Sequence, residues 1–259
     1  MIHIYDGNNV RLRAMTKPSL PGQKRLSLRQ EYERTQVGTH IWVWDGARHN
    51  ERRKAVYPGY KAKREPMAED HFAQIKLFRE VLTHSPALQY CVEEWEADDV
   101  VATLARKLAA RGLQVTCHSN DMDYLQLEAN PLIRINGVSE GNRSVPPRWV
   151  PLYKALRGDN SDNISGVPGF GPKTWETTEA WWPDLEAGIK LGSAHAFAHI
   201  PLPSRVLAWL NEPGNLKTLQ SMLLITHMYE VPDEALEKGA IPGKFNPQAA
   251  HELLNRYFL

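Results

Sequence analysis

The feature that most limits how this chain can fold is a pair of short apolar runs, each stopping at an aspartate followed by glycine. Ile2 to Tyr5 ends at Asp6-Gly7, and Ile41 to Trp44 (IWVW) ends at Asp45-Gly46. Both read as buried strands. Further strand candidates lie at Leu88 to Val92, Gln114 to His118 and Leu132 to Ile135. Between them, Glu69 to Thr83 and Ala97 to Arg111 carry apolar residues at helical spacing, the second closed by Gly112 as a C-cap. Strands alternating with helices imply an α/β fold with a mostly parallel central sheet flanked by helices. Such sheets bind ligands at the carboxyl ends of their strands.

Carboxylates gather at that edge. Of eleven aspartates, eight are Asp6, Asp45, Asp98, Asp99, Asp121, Asp123, Asp159 and Asp162, and Glu96 stands two residues before Asp98. Taken singly, each group has an ordinary reading as a helix cap, a turn or a complement to a helix dipole. Together at one edge they repel one another unless cations neutralise them. A carboxylate-rich set without His or Cys suits Mg²⁺ or Mn²⁺ and points away from structural zinc. Two such ions, about 3.5 to 4 Å apart, handle phosphodiester hydrolysis: one activates the attacking water and both stabilise charge on the phosphate. Neither a Ser-His-Asp arrangement nor a Walker-type phosphate loop is present.

The net charge of +1 says nothing about partners, but its distribution does. Arg11 to Arg34 holds seven Lys/Arg, and Gly46 to Arg64 holds another seven against Glu51 alone. The second run interleaves cations with Tyr57 and Tyr60. Cations attract phosphates and tyrosine faces stack on unpaired bases, which is how single strands are held without sequence preference. The same run also reads as a plain solvated loop.

From Pro146 onward the strand pattern disappears, and helical segments punctuated by Gly and Pro are predicted near 148–157, 172–182, 204–211, 216–229 and 247–257. This gives an α/β core over 1–150, with its basic segment at about 46–72, and a helical part over 151–259. Gly166-Val-Pro-Gly169-Phe-Gly171-Pro-Lys173-Thr174 is a glycine-rich turn entering a helix, whose free N–H groups favour phosphate. The longest apolar stretches fall far short of a membrane span, and no secretory signal is visible. Cys91 and Cys117 sit in apolar runs and read as reduced core thiols of a cytoplasmic protein.

These residues resemble the 5′-nuclease superfamily of flap endonucleases and 5′-3′ exonucleases, in particular bacteriophage members and the 5′-nuclease domain of bacterial family A DNA polymerases. Asp6-Gly, Asp45, Glu96-Ala-Asp98-Asp99, Asp121-x-Asp123 and Gly158-Asp159-x-x-Asp162-Asn match its acidic elements. Arg53, with Tyr60-Lys61-x-x-Arg64, matches its basic one, and Gly166 to Thr174 its helix–three-turn–helix, here around 152–182. The resemblance implies a PIN-like core and a helical arch through which a 5′ single strand passes. It implies a first ion on Asp6, Asp45, Glu96 and Asp98, a second on Asp121, Asp123, Asp159 and Asp162, and Asp99 as a shared or outer ligand. Asp98 and Asp121 join Lys61 and Arg64 in catalysis, with Lys61 and Arg64 at the scissile phosphate. DNA contacts fall to Arg53, Tyr60, Lys61, Lys63, Arg64, Gly169, Gly171, Lys173 and Thr174, and a K⁺ to turn carbonyls such as those of Val167 and Phe170.

The implied activity is Mg²⁺-dependent cleavage near single-strand/duplex junctions of DNA, including RNA-primed DNA, by a monomer acting in primer removal or flap processing. A non-catalytic DNA-junction-binding replisome accessory module and a PIN-type ribonuclease are the competing readings. One departure stands out: Trp175-Glu-Thr-Thr-Glu-Ala-Trp181-Trp182-Pro183 replaces the aliphatic helix expected after Thr174, so that helix should be short.

Overall fold

In the computed structural model, which describes residues 1–16 and 28–257, the chain runs β1 (Ile2–Asp6), α1 (Gly7–Thr16), α2 (Leu28–Arg34), β2 (Thr39–Trp44), α3 (Glu51–Val56), α4 (Glu69–Thr83), β3 (Leu88–Cys91), α5 (Ala97–Ala110), β4 (Val115–His118), β5 (Ile133–Asn136), α6 (Val150–Arg157), α7 (Pro172–Thr177), α8 (Trp182–Leu191), α9 (Ser204–Asn211), α10 (Asn215–Ile225), α11 (Asp233–Gly239), β6 (Ala240–Ile241) and α12 (Pro247–Tyr257). Lys17, Lys24 and Arg25 of the first basic run lie outside the described residues.

The chain forms two compact units that are not contiguous in sequence. The first takes Met1–His49, Pro66–Glu140 and Tyr229–Leu259; the second takes Asn50–Glu65 and Gly141–Met228. A single division at residue 150 therefore differs from the observed units in two places. The basic segment belongs with the helical unit, and the C-terminal stretch returns to the sheet.

In the first unit the sheet order is β5-β4-β1-β2-β3-β6, parallel throughout except for β6. The chain leaves β1 toward β2 and β3, then returns to the other side of β1 for β4 and β5. That reversal opens the crevice beyond the carboxyl ends of β1 and β4, where doubly wound sheets place their ligands. Apolar strands suit a parallel sheet covered on both faces. On one face Ile4 is in register with Ile41 and Cys117, under α5. On the other, Tyr5, Trp42 and Trp44 form a core with Ile75, Phe78, Val81 and Leu82 of α4 and with Ala250 and Leu254 of α12. The Tyr5 ring stacks between Trp42 and His118, each 4.3 Å away, and Phe78 meets Trp42 edge-on at 5.0 Å. Truncating Phe78 to alanine would cost about 3 to 5 kcal/mol. Cys117 is buried, Cys91 half-buried, and both are free.

The C-terminal return is pinned by side chains of α5. The Tyr229 N–H donates to Asp99 Oδ1 at 2.7 Å and the Val231 N–H to Thr103 Oγ1 at 3.0 Å. The chain then adds β6 antiparallel to β3. This two-residue strand corrects the expectation that no strand follows Pro146; it is too short to show a period.

The second unit is helical. Trp175 and Trp182 stack at 4.0 Å, with Trp149 and Tyr153 set edge-on against them. As the tryptophan-rich departure predicts, α7 has only 6 residues before a 3₁₀ turn over Glu179–Trp181. Between α6 and α7 the chain crosses itself at Gly158 and Gly166, both at positive φ, where a Cβ on Gly166 would collide with the Gly158 backbone. Among the described residues no helix is long and apolar enough to cross a membrane.

Candidate active site

Both Asp-Gly junctions are explained by packing. A Cβ on Gly7 would strike the Trp44 ring, and one on Gly46 would strike the Val92 carbonyl. Each glycine lets the backbone turn sharply against a neighbour, which leaves the preceding aspartate at the rim of the sheet. Asp6 ends β1, Asp45 follows β2, and Asp121 lies three residues beyond β4, all on the first unit's carboxyl edge.

Asp6 lies at the centre, 5% exposed. Its Oδ1 accepts the Asn9 N–H at 3.0 Å, while Oδ2 lies 3.3 Å from Ser119 Oγ and 3.2 Å from the Tyr124 hydroxyl. The same hydroxyl lies 3.1 Å from Asp98 Oδ1. Burial, followed by the charges of Asp45 and Asp121, pushes the Asp6 carboxyl up to about 7. The Tyr124 phenol is driven far above its ordinary value, first by burial and then by Asp6 and Asp98. Like charges are thus crowded into a small desolvated volume.

Backbone and amide donors fix the surrounding acids. Asp45 Oδ2 accepts from Asn8 Nδ2 at 2.6 Å, and its Oδ1 accepts the Ala97 N–H at 2.9 Å, capping α5 from another strand. Asn9 Oδ1 accepts the Asn120 N–H at 3.1 Å. Asp121 caps the 3₁₀ helix Met122–Ala129 by accepting the Asp123 N–H at 3.0 Å. Glu96 is the buried N-cap residue of α5, Asp98 is half-buried in its first turn, and Asp123 is buried. Asp99 serves the fold as well: it is 1% exposed and holds the Tyr229 N–H. Among the described residues no three or more His, Cys, Asp or Glu side chains form a group that could hold a metal ion. The acids are collected without being closed into a finished shell.

Asp159 and Asp162 belong to the second unit, where lysines neutralise them. Lys154, 4% exposed, places Nζ 2.7 Å from Asp159 Oδ2 and 3.8 Å from Asp162 Oδ2, and Lys61 Nζ lies 3.7 Å from Asp162 Oδ1. Burial alone would raise the Asp159 carboxyl, but the Lys154 charge and the bonds from Lys154 and Ser161 outweigh it and leave it below its ordinary value. The loop also shapes the basic segment. Lys61 sits at φ +52° with its N–H on the Asp162 carbonyl at 2.9 Å, and Asn163 Nδ2 donates to the Gly59 carbonyl at 2.6 Å. These bonds offset the strain of a left-handed lysine.

Three residues expected among the DNA contacts are buried inside the second unit. Arg53, 5% exposed, donates to the carbonyls of Ile225 at 3.0 Å and His227 at 3.2 Å, closing the C-terminal end of α10. Tyr60 is 2% exposed beneath Arg53 and Lys61, and Thr174 is 8% exposed with its carbonyl bonded by Thr178. Lys63, Arg64, Gly169 and Lys173 are exposed, and Gly171 is half-buried. Val167 and Phe170 are buried, and the Val167 carbonyl accepts the Phe170 N–H at 2.9 Å. Sequence reasoning missed Asn8, Asn9, Tyr124 and Lys154, and it read Ser119 only as part of a helix cap with Asn120 and Asp121.

Comparison with known proteins agrees with this geometry. Residues 25–150 match the family model described as the 5'-3' exonuclease, N-terminal resolvase-like domain. The thermostable DNA polymerase I of Thermus aquaticus is 35% identical over 149 residues, 53% of this chain and 18% of that protein. A 5'-3' exonuclease of Aquifex aeolicus is 33% identical over 132 residues, 48% of this chain and 46% of that one. The chain thus spans less than half the length of these relatives. In fold it is similar to the bacteriophage T5 flap endonuclease crystallised with DNA and metal ions, with a TM-score of 0.65, 19% identity and coverage of 98% of this chain and 99% of that one. The family domain matched over residues 25–150, the sheet order with its acidic carboxyl edge and the likeness of fold all support the 5′-nuclease superfamily.

Proposed function

We propose that the chain is a divalent-cation-dependent 5′ nuclease, a 5′-3′ exonuclease and flap endonuclease that hydrolyses phosphodiester bonds near junctions of single-stranded and duplex DNA. The observation that carries this reading is the buried Asp6 among Asp45, Asp98 and Asp121 on the carboxyl edge of the sheet, with its carboxyl pushed up to about 7. The residues fit a hard cation. Every candidate donor is a carboxylate oxygen, and the crowding around Asp6 is what added positive charge relieves. Asp6, Asp45, Asp98 and Asp121 would draw together around the ion on binding, with Glu96 and Asp123 beside them.

Bound divalent ions activate water and stabilise charge developing on phosphoryl oxygens. The chain's own residues do the rest. Asn8, Asn9 and Ser119 hold the carboxylates in place, and burial of Asp6 excludes bulk water from that side. On the second unit, exposed Lys63, Arg64 and Lys173 supply positive charge for backbone phosphates, contacts that position DNA without reading bases. Lys154 and Lys61, on Asp159 and Asp162, hold the basic turn in shape. The family resemblance further implies two ions, Mg²⁺ or Mn²⁺, which a titration giving two Mn²⁺ per chain would support.

The test uses labelled 5′-flap, nicked, gapped and RNA-primed substrates with Mg²⁺. Wild-type protein should cut flaps and recessed 5′ ends. Asp121→Asn should abolish cleavage while DNA binding survives. No cleavage with either Mg²⁺ or Mn²⁺, together with flap affinity indifferent to both, would establish the junction-binding alternative; preference for RNA flaps would establish the ribonuclease.

A further inference from the structure

Tyr124 occupies a position that the acidic chemistry alone does not require. The 3₁₀ helix Met122–Ala129 carries it into the carboxylate cluster, fully buried, with its hydroxyl 3.2 Å from Asp6 Oδ2 and 3.1 Å from Asp98 Oδ1. Those acids come from different elements, the end of β1 and the first turn of α5. Ring packing would be served equally by phenylalanine, and a buried hydroxyl is costly unless it is bonded. Here both of its neighbours are site carboxylates. Ser119 Oγ reaches the same Asp6 oxygen at 3.3 Å but does not bond Asp98, so it cannot set the spacing of the pair.

We infer that Tyr124 is a positioning residue, whose single hydroxyl proton, shared between Asp6 Oδ2 and Asp98 Oδ1, ties the two acids so that a divalent cation meets carboxylates already placed relative to each other. Each carboxylate oxygen has two acceptor sites, so the tie leaves both acids able to take an ion. Partners of this kind orient metal-binding carboxylates, and losing one weakens metal affinity by about 10- to 100-fold. The inference rests on the metal-binding reading proposed above.

Tyr124→Phe keeps the ring and removes the tie. Mn²⁺ binding to the full chain, followed by electron paramagnetic resonance, should weaken about 10-fold in the variant. The Mg²⁺ concentration giving half-maximal flap cleavage should rise by the same factor, with kcat recovered at high Mg²⁺. A merely structural role would lower kcat or thermal stability without moving the Mg²⁺ dependence. Ser119→Ala should shift Mn²⁺ affinity less than Tyr124→Phe does. A second reading needs no variant: in wild-type protein labelled with ¹³Cζ-tyrosine, one of the nine tyrosine signals should move as Mg²⁺ is added. If wild-type protein bound no Mn²⁺, the metal-binding reading itself would fall. If wild type bound and Tyr124→Phe bound equally well, or no tyrosine signal moved, only the role of Tyr124 would be overturned.

Discussion

Replacing Asp6 by asparagine removes a charge from the most crowded point of the sheet edge while keeping the side chain's size. In metal-free protein the Asp6 carboxyl is moved from its ordinary 3.8 to about 7, by burial first and by Asp45 and Asp121 next. A carboxyl raised in this way is held protonated by the fold, so folding is unpenalised below about pH 4, where the unfolded chain is protonated too. The penalty then grows as the pH rises and is complete above about pH 7. Across that interval it amounts to about 4 kcal/mol at roughly 1.4 kcal/mol per pH unit. Asp45 and Asp121 share the crowding, which makes this figure an upper value. Asparagine carries no such penalty and can still accept the Asn9 N–H. Urea unfolding in EDTA at pH 4, 6 and 8, followed by tryptophan fluorescence, measures the difference; Trp42 and Trp44 lie in the core that packs on this sheet. Asp6→Asn should match wild type near pH 4 and exceed it by a few kcal/mol at pH 8. Mg²⁺ should stabilise wild type and leave the variant nearly unchanged. Equal gaps at pH 4 and 8, or a variant less stable at pH 8, would refute the reasoning.

Arg53→Ala should destabilise the second unit by about 2 to 4 kcal/mol, because two buried carbonyls lose a charged donor, and Arg53→Lys should rescue little since one ammonium lacks the planar fork; differential scanning calorimetry checks both, and a pure loss of DNA affinity at unchanged stability would contradict the placement. Lys154→Met should cost about 3 kcal/mol at pH 7 by stranding Asp159, while Asp162 keeps Lys61. Because Asp159 is held below its ordinary value, the contribution from its pairing is present above pH 3.8 and lost as the pH falls through the lower folded value. The gap between wild type and Lys154→Met should therefore narrow in acid, which chemical denaturation at pH 3 and 7 would show.

The sheet was legible because apolar runs with abrupt ends are local signals: β1, β2, β3, β4 and β5 all appear close to their expected positions, and so do α4, α5 and α12. Helix α1 was not legible, since Gly7-Asn-Asn-Val10-Arg-Leu-Arg carries little amphipathic pattern and its start is set by packing under Trp44. Strand β6 was hidden for a similar reason, being two residues that pair only because Asp99 and Thr103 guide the chain back to β3. The positions of Asp6, Asp45 and Asp121 just past strands were legible, whereas the donors that hold them were not. Asn8, Ser119 and Tyr124 are common residue types whose meaning lies in partners 37, 113 and 118 positions away.

The basic segment shows most clearly where sequence reading and structure part. In the sequence Arg53, Tyr60, Lys61 and Arg64 look alike, one run of cations and rings, yet the fold turns two of them inward and leaves Arg64 in solvent. What separates structural charge from functional charge is the sign of the neighbours. Arg11 meets Glu31 at 2.6 Å, Lys154 meets Asp159 at 2.7 Å, and Arg53 meets carbonyl oxygens, so each buried cation is answered within its own unit. The charges that act on Asp6 are instead those of the acids Asp45 and Asp121, an arrangement that lowers stability and that a fold selected for stability alone would replace with an apolar residue. A buried acid crowded by other acids is therefore a better guide to a working site than a run of exposed cations, and on that ground the first unit's sheet edge is the place to test for the proposed reaction.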